Sequence, residues 1–203
     1  MNGLLLLALA LQAPAPAPGT VRVLLETTLG EIEVEVDQAH APASARNFLR
    51  YVEAGRYDGG RFHRTVTPEN QPGNAVKIAV IQGGEAPERE ASDFPPIALE
   101  RTRDTGLSHL DGTLSLARDG PDTATGDFFI CVGPQPALDF GGARNPDGQG
   151  FAAFGRVVRG MEVVRRIWRA PVHEQALTPP VALRRVRRLP TAGTKGAPGA
   201  PGR

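Results

Sequence analysis

Apolar positions along this chain fall into short runs, and most of the runs alternate with polar residues. VRVLLETTLGEIEVEVD, residues 21 to 37, reads as two strands joined at Thr28-Leu29-Gly30. The second strand sets Ile32, Val34 and Val36 on one face against charged residues on the other, so one of its faces is expected to be wet. The period then becomes helical in APASARNFLRYVEAGRYDGG. Pro42 suits a first turn, Ala45, Phe48, Leu49 and Val52 make an apolar stripe, and Gly55 fits the end. RFHRTV and KIAVIQGG are the next strands, with the polar, turn-rich TPENQPGNA between them as a loop. Residues 83 to 106 are mostly loop, with room for a short strand at PIALE. GTLSLA, DFFICV and FAAFGRVV are strands separated by the loops RDGPDTATG and GPQPALDFGGARNPDGQG. GMEVVRRIWR is a second amphipathic helix with Val163, Val164, Ile167 and Trp168 inward, and PPVALRRVRRL closes as a strand.

About eight short strands with two helices among them, and no strand-helix alternation, argue against a parallel sheet. A mainly β fold results, and a closed antiparallel barrel capped by the helices is the natural way to remove the sheet edges. The 203 residues suffice for one domain with a real core, expected over residues 21–190. The net charge of +1 gives no global field for nucleic acid or an anionic membrane. Arg165, Arg166, Arg169, Arg184, Arg185, Arg187 and Arg188 read as a solvated face rather than a nucleic-acid surface.

The ends differ from the body. Residues 1–13 read as an export signal: the apolar run Leu4 to Leu11 is too short to span a bilayer, and Leu11-Gln12-Ala13 resembles a small-residue cleavage site. Exported means periplasmic or secreted; the alternative is an apolar disordered N-terminus on a cytosolic protein. Residues 14–20 (PAPAPGT) are expected to be an unpacked linker, and 191–203 a disordered tail. Cys131 is the single cysteine, so no intramolecular disulfide can form. In FFICV it reads as a buried structural thiol, since a catalytic one needs an exposed, electropositive setting.

The chemistry gathers around GRFHRTV. Read with period 2, Phe62, Arg64 and Val66 share a face, and a guanidinium among apolar neighbours is costly unless it has a partner or a function. The local stretch leaves both open: a structural salt bridge, or a working arginine. His40, His63, His109 and His173 show no metal-ligand spacing, and no cofactor is called for. Ser115 lies in no G-x-S-x-G setting that would suggest acyl transfer.

The stretches LETTLGEIEVEVD, ARNFLRYVEAGRYDG, FHR, IQGG, GTLSLARDGPDTATGDFFI, LDF and FGRVVRGMEVV, in this order from about Thr20 to Leu189, resemble the cyclophilins, the peptidyl-prolyl isomerase family. The resemblance implies a closed eight-stranded antiparallel barrel with two helices. It also implies an activity, acceleration of rotation about X-Pro bonds in proline-containing peptides and unfolded client proteins. Arg64 corresponds to the family's catalytic arginine and Gln82 to the glutamine that orients substrate and arginine. Val80, Ala117, Phe129 and Leu138 fall on positions lining the substrate pocket; Phe62 belongs to the same motif as core or pocket. Nothing calls for more than a monomer. A proline-binding or chaperone module with little turnover is the alternative.

Four departures from the family pattern stand out. TPENQPGNAVK, residues 67 to 77, lengthens the path from Arg64 to Gln82 and must bulge beside the groove. Asp127 stands where many members have a second glutamine, and could alter substrate contacts or pair with a nearby arginine. Ala137 replaces a large aromatic, which predicts weak cyclosporin binding. Phe151 falls on a substrate-contact position that often holds His or Tyr, so a polar contact is expected to be lost.

Overall fold

A computed structural model describes residues 17–86 and 94–190. The expected export signal, the first part of the linker and the C-terminal tail lie outside the described residues.

Nine strands and three α-helices follow one another along the chain: β1 (Thr20–Thr27), β2 (Gly30–Asp37), α1 (Pro42–Glu53), β3 (Arg61–Val66), β4 (Val80–Gly84), the single-turn α2 (Thr102–Thr105), β5 (Thr113–Leu116), β6 (Phe128–Cys131), β7 (Ala152–Arg159), α3 (Met161–Trp168), β8 (Val172–His173) and β9 (Ala176–Arg188). A 3₁₀ turn covers Pro136–Leu138. The sheet order β1-β2-β7-β5-β6-β4-β3-β9 closes through a β1–β9 pairing, and every ladder is antiparallel. The result is the eight-stranded closed barrel that alternating runs demanded. The ninth strand, β8, is a two-residue hairpin arm on β9. The PIALE stretch forms only one bridge, Ile97 to Ala124, and β4 begins at Val80 rather than at Lys77.

The barrel interior takes Val23, Leu25, Ile32, Val34 and Val36 from the first hairpin, Ile81, Leu114, Phe128 and Ile130 from the far wall, and Phe48, Leu49 and Val52 from α1. Pro42 opens α1, and Gly55 follows it with φ +63, a left-handed value open to glycine at little cost. Val163, Val164 and Ile167 of α3 are buried, and Trp168, half-buried, donates its indole N–H to Val66 O at 2.9 Å.

Two expectations fail at the first hairpin. The charged face of β2 is dry beyond the exposed Glu31 at its start: Glu33 and Glu35 are 5% and 4% exposed. Arg22, from β1, donates to Glu33 at 2.7 Å and to Glu35 at 3.3 Å, and Arg156 and Arg159 from β7 reach Glu35 and Glu33 at 2.8 and 3.2 Å. Alternating charges predict solvent only when no oppositely charged strand lies alongside. The described end of the linker, exposed at residues 17–19, is nonetheless tied to the barrel. Thr20 opens β1, and the Ala17 N–H and the Thr20 hydroxyl both donate to Glu35. Burial alone would raise the Glu35 pKa, but these bonds and the neighbouring guanidiniums bring it below its ordinary value.

Replacing one member of such a buried cluster strands its partners' charges. Arg22→Met is expected to lower folding stability by about 3 kcal/mol, measured by chemical denaturation at pH 7. The Glu35 part of wild-type stability is present above the unfolded-state value near 4.5 and fades as pH falls through the lower folded-state value.

Candidate active site

The wall formed by β3, β4, β6 and β5 carries rows of side chains on two different faces. Directly opposed residues in an antiparallel ladder share a face. Arg64 opposes Gln82, Gln82 opposes Phe129, and Phe129 opposes Ser115, so these four form one row. The next row on the same face is Val66, Val80 and Cys131. Between them run Thr65, Ile81, Ile130 and Leu114, which point into the barrel. The Arg64 row and its neighbours therefore lie outside the core proper. There Val66, Ile78, Val80, Phe129, Cys131 and Leu138 form a second apolar cluster.

Phe62 does not belong to this face. The ladder shifts register between Phe62 and Arg64, with His63 as the extra residue. The bulge turns Phe62 inward, where it is fully buried and meets Phe128 edge-on at 5.9 Å. This one bulge corrects the period-2 reading that put Phe62 beside Arg64, and of the two places open to Phe62, core or substrate pocket, it takes the core and not the pocket. Glycine makes the arrangement feasible: a Cβ on Gly83 would sit 2.8 Å from Phe62 Cδ1 and from Arg61 O.

The outer face holds a cavity of about 390 Å³. Arg64, Val80, Gln82, Ala117, Phe129, Leu138 and Phe151 line it, together with Ile78, Arg118, Asp119, Thr123, Thr125, Asp127, Arg144 and Asn145. Phe129 is the floor. His109 stacks behind it at 5.9 Å, and Phe151 meets it edge-on at 5.3 Å. Arg118 lies over the Phe151 ring at 5.0 Å and ties down the loop that leads into Phe151 through Asp147 and Gly150 O.

His109 is buried, with Nδ1 2.7 Å from Asp139 and Nε2 2.9 Å from Ser115 Oγ. The Asp–His–Ser order has the form of a nucleophilic triad, but Ser115 is fully buried and no acyl group could reach it. The chain of bonds instead braces the floor. Burial would raise the Asp139 pKa; the bonds from the His109 ring and backbone N–H outweigh that and hold it down.

Arg64 reaches the cavity with its guanidinium held by neutral acceptors. Nη1 donates to Gln82 Oε1 at 3.0 Å, and Nε and Nη2 donate to Gln175 Oε1 at 2.9 and 2.6 Å. Burial and the nearby Arg144 lower its pKa from a very high starting value, and it makes no ion pair among the described residues. Gln82 in turn donates Nε2 to Asp127 at 3.1 Å. A carboxylate only accepts, so Asp127 turns the Gln82 amide nitrogen to itself and the oxygen to Arg64. Asp127 thus pairs with the glutamine, not with an arginine; His63 lies 3.7 Å from it. Burial and the charges of Arg61 and Arg64 lower the His63 pKa more than Asp127 raises it. Ala137 sits in the 3₁₀ turn next to Leu138, and its own small side chain does not line the cavity. Gln175 escaped the sequence reading because it lies 111 residues from Arg64, in the β8–β9 turn, with no local pattern to mark it. Among the described residues no three His, Cys, Asp or Glu side chains gather in a way that could hold a metal ion.

Residues 22–188 match the family described as cyclophilin type peptidyl-prolyl cis-trans isomerase/CLD. Peptidyl-prolyl cis-trans isomerase A of Dickeya dadantii is 39% identical over 151 residues, 73% of this chain and 71% of that protein. A peptidyl-prolyl cis-trans isomerase of Arabidopsis thaliana is 35% identical over 162 residues, 75% of this chain and 87% of that protein. A Cryptosporidium parvum cyclophilin type isomerase, solved in the presence of the dipeptide Ala-Pro, shares the fold with a TM-score of 0.66 at 20% identity, over 83% of this chain and 99% of that one. Barrel and groove define a cyclophilin-type fold. The chain belongs to the cyclophilin-type peptidyl-prolyl cis-trans isomerase family.

Cys131, beside Val80 in the same outer row, is fully buried, and burial with the charges of Asp139 and Asp111 pushes its thiol pKa far up. Iodoacetamide is expected to leave it unmodified in the native protein at pH 8 and to label it fully in denaturant, as read by intact mass.

Proposed function

We propose that this chain is a working peptidyl-prolyl cis-trans isomerase in which the Arg64 guanidinium is the catalytic group. The barrier to X-Pro rotation is amide resonance, about 18–20 kcal/mol. Lowering it needs no nucleophile, metal or proton transfer. It needs a site that holds the twisted amide better than either planar form. In the twisted amide the proline nitrogen regains a localised lone pair, and a donor aimed at it stabilises that state alone. The single observation that carries the reading is the uncompensated guanidinium of Arg64 beside the apolar floor of Phe129, Leu138 and Val80. Three of its five N–H groups are engaged by glutamine oxygens, and the other two have no partner among the described residues. In this reading the floor holds the proline ring while the acyl side turns, and the surrounding apolar surface strengthens the hydrogen bond.

Clients are proline-containing segments of unfolded or flexible chains, and the enzyme works as a monomer. Export accords with the apolar run at residues 4 to 11; mass spectrometry of the mature N-terminus tests it. A second reading, a proline-binding module with little turnover, draws on Asp127 occupying the amide nitrogen of Gln82.

Arg64→Ala is expected to lower kcat/KM for exchange of a short X-Pro peptide by about a hundredfold or more, with the fold retained. Equal rates in the two proteins would favour the binding module. Cyclosporin is expected to bind weakly, and Ala137→Trp to tighten it by about tenfold, measured calorimetrically, through the apolar ring area restored beside Leu138.

A further inference from the structure

We propose that Gln175, held in place by the inserted segment 67–77, is a second positioning residue for Arg64, so that the guanidinium is oriented from two sides. The inference deepens the isomerase reading and rests on Arg64 being its catalytic donor. One oxygen, Gln175 Oε1, bridges Nε and Nη2 along one edge of the guanidinium, while Gln82 takes Nη1. Two contacts on one edge and one on the remaining nitrogen fix the plane. Gln82 alone would leave the group free to rotate about that single bond.

The amide of Gln175 is itself prevented from flipping. Its Nε2 donates to Asn70 O at 3.0 Å, and a carbonyl only accepts, so the oxygen must face Arg64. Asp127 does the same for Gln82 on the other side.

The insertion supplies this brace. Asn70 spans two elements, donating Nδ2 to Thr65 O at 2.9 Å and to Glu174 O at 3.0 Å, and its Oδ1 receives the Thr67 N–H at 2.8 Å. Gln71, buried, ties the two ends of the loop together through Thr67 O and Ile78 O, and Arg144 closes it from across the cavity through Gln71 Oε1 and Val76 O. On the other side, Glu174 adopts a left-handed φ of +57, uncommon for a residue with a side chain, and the Thr65 N–H donates to Gln175 O at 2.9 Å. These contacts place the Gln175 side chain at the guanidinium. An amide is well suited to this role, because it fixes the plane without cancelling the charge on which the donor depends.

The test is a double-mutant cycle on the full chain. Gln175→Met keeps the volume and removes the acceptor. It is expected to lower turnover of an X-Pro peptide by about ten- to a hundredfold, with the peptide dissociation constant within about twofold of wild type. On the Arg64→Ala background it is expected to change nothing further. The Arg64 Nε–H resonance, slow to exchange with water in the wild type, is expected to broaden or vanish in Gln175→Met. Asn70→Ala, which keeps the loop carbonyl but frees it, is expected to give the same pattern more weakly. Unchanged turnover and an unchanged Nε–H resonance in Gln175→Met would overturn the proposal, as would an equal loss with Arg64 absent. If Arg64→Ala alone left the rate at the wild-type value, the catalytic reading would fall and this one with it.

Discussion

A guanidinium kept at the edge of an apolar floor without a counter-charge sets the terms for the rest of this molecule. Half-burial makes such a cation expensive unless its N–H groups find acceptors. A carboxylate would supply them most cheaply, but it would also quench the donor strength that a twisted prolyl amide calls for. Amide oxygens satisfy the cation and leave its charge intact. An amide, though, can turn its nitrogen where its oxygen is needed, so each glutamine must be backed by a group that only accepts. Asp127 stands behind Gln82 and the Asn70 carbonyl behind Gln175. On the proposed roles of Arg64 and Gln175, the two departures from the family pattern at 127 and 67–77 answer one electrostatic requirement.

Placing that cation depends on a wall with two working faces. The interior rows of β3, β4, β6 and β5 carry the barrel core, and the exterior rows carry the groove. A strand serving both needs strict alternation except where a side chain must change sides, and the bulge at His63 makes that change. It frees Phe62 for the core while Arg64 keeps the outer face. Gly83 leaves room for the Phe62 ring, and a Cβ on Gly84 would overlap the Asp127 carboxylate that turns Gln82. The glycines of IQGG are therefore steric conditions of the site as much as features of the chain path.

Much of this was legible before the structure. Alternating runs and two helical stripes were enough for a closed antiparallel barrel, because apolar periodicity reports burial directly. Val80, Ala117, Phe129, Leu138 and Phe151 do line one cavity with Arg64 and Gln82. What escaped was non-local. Phe62 was misplaced because a bulge shifts phase without leaving a mark in composition. Glu33 and Glu35 were expected in water because the partner charges on Arg22, Arg156 and Arg159 belong to neighbouring strands. Gln175 was invisible because a turn glutamine looks like any other until the fold brings it to Arg64.

The same reasoning accounts for the polar chain hidden behind the floor. A catalyst that makes and breaks no bond works through position alone, so the surface proposed to grip the proline must not give way as the amide turns. Phe129 is held from behind by the His109 ring, and that ring is pinned at both nitrogens, by Asp139 and by Ser115. Phe151 meets it from the side and is covered in turn by Arg118. Such a network would be a poor substitute for apolar packing if stability were its purpose. What it adds is direction: aromatic faces slide past one another, and hydrogen bonds do not. In the proposed mechanism a rigid floor and a guanidinium fixed in its plane are two halves of one device, and neither discriminates the twisted amide without the other.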